Sequence, residues 1–334
     1  MAFSDVLGNN RVKNILGRAL RRERMPNSLL FTGPEGVGKK ETALVIAKAL
    51  NCLNKNDDAC ETCSVCTAIN NGVEEGQFPD VMLLSPENDV LKIEQIRLLK
   101  QTAYLKPMSG KKRVFILDPA EKMNEESANS LLKILEEPPL FSHLILITSN
   151  PFLLLPTVKS RCQILNFSPI SQEDIEKELV QKGCLEEQAR VLSLLARGNL
   201  KMALDLDWQE VKEKKEKAWS FILSLFEKKD RSDVLKSLLM KPKKMAENEL
   251  SEVLEIGALF CRDIILIAEK GKDRLLMNPD YTESLYKVAE KVNILKVHEI
   301  LYGIDHMLYG MTKNANLNLL VSSSFLKLME KKYV

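Results

Sequence analysis

An apolar run, Ser28-Leu29-Leu30-Phe31-Thr32, leads into Gly33-Pro34-Glu35-Gly36-Val37-Gly38-Lys39-Lys40, and a helical pattern follows from Glu41 to Leu50. A strand, a glycine-rich turn and a helix in that order leave few folds open. Up to its last position the turn matches the phosphate-binding loop G-x-x-x-x-G-K-[ST]. Its glycines let backbone amides curl around phosphates, and its lysine neutralises them. At the last position a serine or threonine hydroxyl would ligate magnesium. Lys40 stands there instead, and an ammonium cannot ligate a cation. The chain thus carries the scaffold of a nucleotide site without one part that turnover needs.

Four further apolar runs, Asp80 to Ser85, Arg113 to Asp118, His143 to Ser149 and Cys162 to Phe167, alternate with helical patterns. That alternation predicts an α/β core with a five-stranded parallel sheet over residues 1–167. Beyond Phe167 no strand pattern follows. Residues 168–207 open with the capped start Ser171-Gln172-Glu173-Asp174 and break at Gly183 and Gly198, which reads as a small helical lid. Residues 208–334 carry long amphipathic patterns punctuated by Pro242, Gly271, Pro279 and Gly303, an all-α bundle. Within it Glu210 to Lys217 reads as a solvated helix face. The apolar stripe Leu254 to Ile267 reads as core or subunit contact, because Arg262 and Asp263 interrupt it.

Charge narrows the partners. The chain has 48 Lys+Arg against 46 Asp+Glu, a formal charge of +2, and neither half is strongly basic: 21 against 19 up to Phe167, 27 against 27 after it. Polyanion binding by the chain alone should be weak, although rows of lysine and arginine can add to a basic surface built by several subunits. No apolar run is long enough to cross a bilayer and residues 1–10 lack a leader pattern, so a cytoplasmic location with no membrane partner is expected.

Cys52, Cys60, Cys63 and Cys66 form a regular cluster. Closely spaced thiolates close around one tetrahedral zinc, and in a cytosolic chain such spacing points to metal before disulfides. An iron-sulfur cluster and a group of buried thiols remain alternatives. Four protein ligands leave no open position for water, so the zinc module over 52–66 would be structural.

The third strand ends at Asp118, where a P-loop protein places its magnesium-organising carboxylate; a turn or cap role is the other reading. The next residue, where such ATPases can carry a basic glutamate, is Pro119. Glu121 is the nearest substitute and is expected to point elsewhere. Ser149 and Asn150 end the fourth strand, where a polar residue can sense a γ-phosphate, or where Asn150 before Pro151 starts a turn. Loss of the hydroxyl and of the base predicts no magnesium-dependent hydrolysis by this chain. ATP or ADP binding through Gly33, Gly36, Gly38 and Lys39, with Lys40 in part replacing the cation, stays open beside a loop kept for packing. His143, His298 and His306 show no ligand spacing and read as structural, and Cys162 as a packed thiol.

Asn129-Ser130-Leu131-Leu132-Lys133-Ile134-Leu135-Glu136-Glu137-Pro138-Pro139, the P-loop, the cysteine cluster and Ser160-Arg161-Cys162 occur in one order. Together they closely resemble the AAA+ subunits of the bacterial DNA polymerase III clamp loader. The departures at Lys40 and Pro119 resemble its delta-prime branch more than the ATP-hydrolysing gamma/tau branch. Over the first 200 residues the resemblance is close, and beyond them only the helical pattern remains. It implies an AAA+ core, a lid and a helical collar. Arg161 would be an arginine finger reaching ATP on a neighbouring subunit, and Lys201, in Gly198-Asn199-Leu200-Lys201, would stand where active relatives carry a second sensing arginine. It also implies the partners: gamma/tau subunits, the delta subunit, the sliding clamp indirectly, and primer-template DNA. An autonomous ATPase of gamma/tau type using Glu121 as base is the main alternative. A small-molecule P-loop kinase would leave the C-terminal helices and Arg161 without purpose, and a zinc DNA-binding module lacks basic density around the cysteines. Glu136 and Glu137 oppose the helix macrodipole at about 0.3 to 1 kcal/mol each, so a positive partner or simple solvation must account for them.

Overall fold

The computed structural model describes residues 1–54, 58–72, 78–227, 243–271 and 275–313. Pro242, residues 55–57 of the cysteine segment and the C-terminal stretch 314–334 lie outside the described residues. The chain divides into two compact units, residues 1–182 with 196–204, and residues 183–195 with 205–334.

The first unit holds the five expected strands, with ends that differ from expectation by at most one residue: β1 (Ser28–Thr32), β2 (Val81–Leu84), β3 (Arg113–Leu117), β4 (Ser142–Thr148) and β5 (Gln163–Asn166). They form one parallel sheet in the order β2-β3-β4-β1-β5. Helices α1 (Asn10–Arg21), α2 (Lys39–Asn51), α3 (Ser64–Gly72), α4 (Ile93–Ala103), α5 (Glu125–Glu136) and α6 (Pro156–Lys159) connect and flank these strands, and α7 (Gln172–Gln181) follows them. Register explains the apolar runs. Leu30 pairs with Leu146, and Phe115 with Leu144. With Leu117 these side chains meet Ile96 and Leu99 of α4 and Leu131 and Ile134 of α5 in one cluster. Their alternating neighbours Phe31, Ile116, Ile145 and Ile147, which point the other way, are buried too. A strand covered on both faces has no solvated side, so β1, β3 and β4 read as continuous apolar sequence. At the edge, β5 buries only Leu165 and exposes Gln163, Ile164 and Asn166.

In the second unit lie α8 (Glu186–Leu195), α10 (Trp208–Glu227), α11 (Lys243–Ala268), α12 (Thr282–Ala289) and α13 (Ile294–Thr312); the short α9 (Leu200–Asp205) starts in the first unit. Phe221, Leu254, Phe260, Leu285 and Ile304 are among the residues of its core, so the Leu254 to Ile267 stripe packs inside the bundle. One lysine departs from the solvated face expected for 210–217. Lys215 is buried, its ammonium paired with Asp280 and lying 5.3 Å from the Tyr281 ring centroid. Asp263, in the middle of the stripe, accepts the amides of Met277 and Asn278, which satisfies a carboxylate the core would otherwise exclude.

Asp80 plays the same part in the first unit. It ends the segment before β2 and accepts backbone N–H from Met108, Ser109 and Gly110 at 2.7 to 2.8 Å, pinning the loop that enters β3. Burial pushes its pKa up, but those amides and the Arg113 charge outweigh burial and hold it below the ordinary value. Because the folded pKa is the lower one, the stabilisation is complete above the unfolded value of about 3.9 and is lost as pH falls through the folded value. Asp80→Asn should destabilise the core by about 2 kcal/mol at neutral pH and flatten the acid limb of its stability curve. Denaturant titrations of both proteins between about pH 3 and pH 7 check this, and an unchanged acid limb would refute it.

Candidate functional site

Parallel pairing brings the C-terminal ends of β1, β3 and β4 to one edge of the sheet, where ligands of open α/β folds bind. At the end of β1 the loop turns through three left-handed glycines, Gly33 at φ 141°, Gly36 at φ 67° and Gly38 at φ 89°. A Cβ at Gly33 would lie 2.3 Å from the Phe167 carbonyl oxygen, and one at Gly36 1.7 Å from Asn199 Oδ1. The loop is therefore held between the chain leaving β5 and the segment entering α9. Leu200 N–H donates to the Gly36 carbonyl at 3.0 Å, which sets the following residue, exposed Lys201, on the first turn of α9 beside the loop.

Lys39 is buried, and its ammonium donates to the carbonyl oxygens of Gly33 and Pro34. Burial lowers its pKa, opposed first by the charge of Asp118 and then by that of Glu121. Asp118 is raised by burial, opposed by Lys40 and then Lys39. Lys40 thus puts its charge on the carboxylate that would organise a magnesium ion. The charges of two ammoniums act on a half-buried carboxylate at the end of β3.

Glu121 corrects the expectation that it points away. The 3₁₀ turn Ala120–Lys122 brings it back to the end of β4, where its Oε1 accepts Ser149 N–H at 3.0 Å, Ser149 O–H at 2.9 Å and Asn150 N–H at 3.3 Å. Burial would raise its pKa, but its own backbone amide, the Thr148 hydroxyl and the amide and hydroxyl of Ser149 together hold it below the usual value. Its buried Oε2 has no hydrogen-bond partner among the described residues. Asn150 is exposed, and its Oδ1 accepts Phe152 N–H at 3.2 Å, the turn-starting role left open by sequence.

The sulfur atoms of Cys52, Cys60, Cys63 and Cys66 all lie within 4.8 Å of one another. A tetrahedral zinc with bonds of about 2.3 Å needs sulfurs about 3.8 Å apart, so small side-chain movements close the shell. Cys63 N–H donates to Cys60 Sγ at 3.4 Å, and Cys66 N–H to Cys63 Sγ at 3.5 Å. Amide bonds from Thr62 and Cys63 lower Cys60 to about 5, whereas burial and the Cys63 thiol push Cys66 up to about 12. Ionising all four together needs a cation, and the cluster can hold a metal ion such as zinc. Cys162, by contrast, is raised to about 12 by burial alone, in keeping with a packed thiol.

Arg161 lies between α6 and the edge strand β5. Its Nε donates to Glu136 Oε1 at 2.7 Å, its Nη2 also reaches that oxygen, and Nη1 donates to the Thr157 carbonyl at 2.9 Å. The positive partner of Glu136 is thus in the same chain, a pairing that sequence reading missed. Its one visible sign was an acid placed against a helix dipole. Asn199 was missed as well, and nothing in its sequence context marks it as the residue that closes over Gly36.

A family model described as DNA polymerase III, delta subunit, matches residues 8–171. The DNA polymerase III subunit delta' of Bacillus subtilis is 29% identical over 323 residues, covering 96% of this chain and 96% of that protein. The gamma/tau subunit of Mycoplasma pneumoniae is 35% identical over 210 residues, 61% of this chain and 30% of that one. The tau subunit of Escherichia coli is 32% identical over 216 residues, 63% of this chain and 33% of that one. The chain spans about a third of these gamma/tau relatives but nearly all of the delta' relative. Among solved structures, a gamma subunit-related protein of Thermotoga maritima superposes with a TM-score of 0.43 at 18% identity, covering 87% of this chain and 98% of that one. The likeness to delta' runs on into the C-terminal helices, past the point near residue 200 where the motifs end.

Proposed function

We propose that this chain is a clamp-loader subunit of DNA polymerase III and works as a delta-prime-type subunit, a reading its likeness to delta' and to the delta-subunit family model supports: it does not hydrolyse ATP, and it lends Arg161 to ATP bound on a neighbouring subunit. The observation that carries this reading is a loop well formed at its three glycines that ends in Lys40, where a magnesium-ligating hydroxyl would stand. An ammonium there opposes a second cation, and Pro119 supplies no base. Any nucleotide held at Gly33, Gly36, Gly38, Lys39, Lys40 and Asp118, with Asn150 and Lys201 at the rim, is held without turnover. The chain then acts as a stator, with 168–207 as the lid and 208–334 as the oligomerising collar. Its partners are gamma/tau subunits and the delta subunit, with the sliding clamp and primer-template DNA reached within the assembly. Support for Arg161 comes from its place ahead of an edge strand and its partial exposure. A planar fork suits the charge that develops on a transferring phosphoryl group.

A second reading, hydrolysis by the chain itself with Glu121 as base, draws on the Glu121 carboxylate, whose pKa is held down, facing the charge of Lys39. The three donors from Ser149 and Asn150 on its Oε1 weigh against it, since they hold that oxygen away from proton abstraction.

Reconstitution with the cognate ATPase subunits, clamp and primed DNA tests Arg161. Arg161→Ala should slow turnover at the site it faces by about a thousandfold, the scale of an arginine finger, and equal turnover would contradict the role. The cysteine cluster is assigned a structural zinc that braces the excursion between α2 and β2. Metal analysis should find one zinc per wild-type chain and a loss of it in Cys63→Ser; a metal-free wild type would refute the assignment.

A further inference from the structure

Glu136 has a second property beyond its charge. It closes α5, stays half exposed, and still directs one oxygen onto two nitrogens of Arg161. Arg161 follows the four-residue α6, a short support for a side chain with four rotatable bonds. Unrestrained, such an arginine samples many rotamers, and ordering it at the moment of reaction would cost rate.

We propose that Glu136 is a positioning residue for Arg161, fixing the guanidinium in the orientation from which it meets a phosphate on the neighbouring subunit. The proposal rests on the reading of Arg161 as a group acting in trans. The edge of the guanidinium that Glu136 occupies decides between positioning and restraint. Nε–H and one Nη2–H converge on Glu136 Oε1, which is the edge nearest the arginine's own chain. Nη1 is turned to the Thr157 carbonyl, with Ser160 Oγ at 3.3 Å. In a planar guanidinium the second Nη2–H points away from Nε, toward the distal edge. An anion arriving there meets an oriented donor, and the bond to Glu136 need not break. A restraint would instead hold the distal edge. Glu137, the next residue, is exposed and carries the same charge at the same helix end, so it serves as the control for general electrostatics.

The test uses the full chain in the reconstituted assembly with ATPase subunits, clamp and primed DNA, together with the Arg161 Nε–H resonance of the chain alone, assigned by its loss in Arg161→Lys. Glu136→Ala should lower kcat for ATP several-fold, toward the Arg161→Ala value, with KM unchanged. Glu136→Gln, whose amide oxygen can accept the same bonds, should recover part of that loss, and Glu137→Gln should match wild type. The resonance should exchange slowly in wild type and in Glu137→Gln and quickly in Glu136→Ala. Wild-type or faster turnover in both Glu136 variants, with Arg161→Ala crippled, overturns the positioning role and leaves the finger standing. An inert Arg161→Ala overturns the finger, and this inference with it.

Discussion

The parallel pairing of β1 with β4, and of β4 with β3, carries the rest of the core. Thr32 stands opposite Thr148, and Leu117 opposite Leu146, so the glycine loop, Asp118 and the Ser149-Asn150 pair emerge at one edge. Burial of Leu and Ile on both faces fixes that register, because a slip of one residue would exchange every side chain between two packed faces. The glycines of the loop then have little choice. Phe167 and Asn199 crowd the positions where a side chain would grow.

On this frame, charge decides what the site can do. Lys39 turns its ammonium inward to carbonyls of its own loop, and Lys40 adds a second positive charge beside Asp118. Glu121 balances part of it but commits one oxygen to the end of β4. Arg161 lies instead just ahead of the edge strand β5, paired with Glu136. On the proposed function, phosphate binding and phosphate chemistry are separated within one chain.

Much of this was legible from residues alone, and the reason is burial. β1, β3 and β4 are covered on both faces, so their runs are unbroken; the loop is bounded by glycines whose conformations no other residue adopts cheaply. The cysteine cluster was legible because its four thiols, which converge within 4.8 Å of one another, also lie close in sequence. What sequence did not reveal are contacts between charged groups that look solvated in one dimension. Glu136 and Arg161 lie 25 residues apart and each reads as a surface charge. Lys215 sits among exposed lysines and glutamates, yet the aromatic rings of Phe260 and Tyr281 and the carboxylate of Asp280 enclose it. Glu121 was misjudged because a 3₁₀ turn, which no residue pattern announced, reverses its direction.

The division of binding from chemistry is tested most directly by single-turnover hydrolysis of magnesium-ATP by the purified chain alone, run beside Lys39→Ala. The account predicts no cleavage above the Lys39→Ala background at any ATP concentration. Cleavage that Lys39→Ala abolishes would contradict it and make Lys40 and Pro119 tolerated changes in a working ATPase.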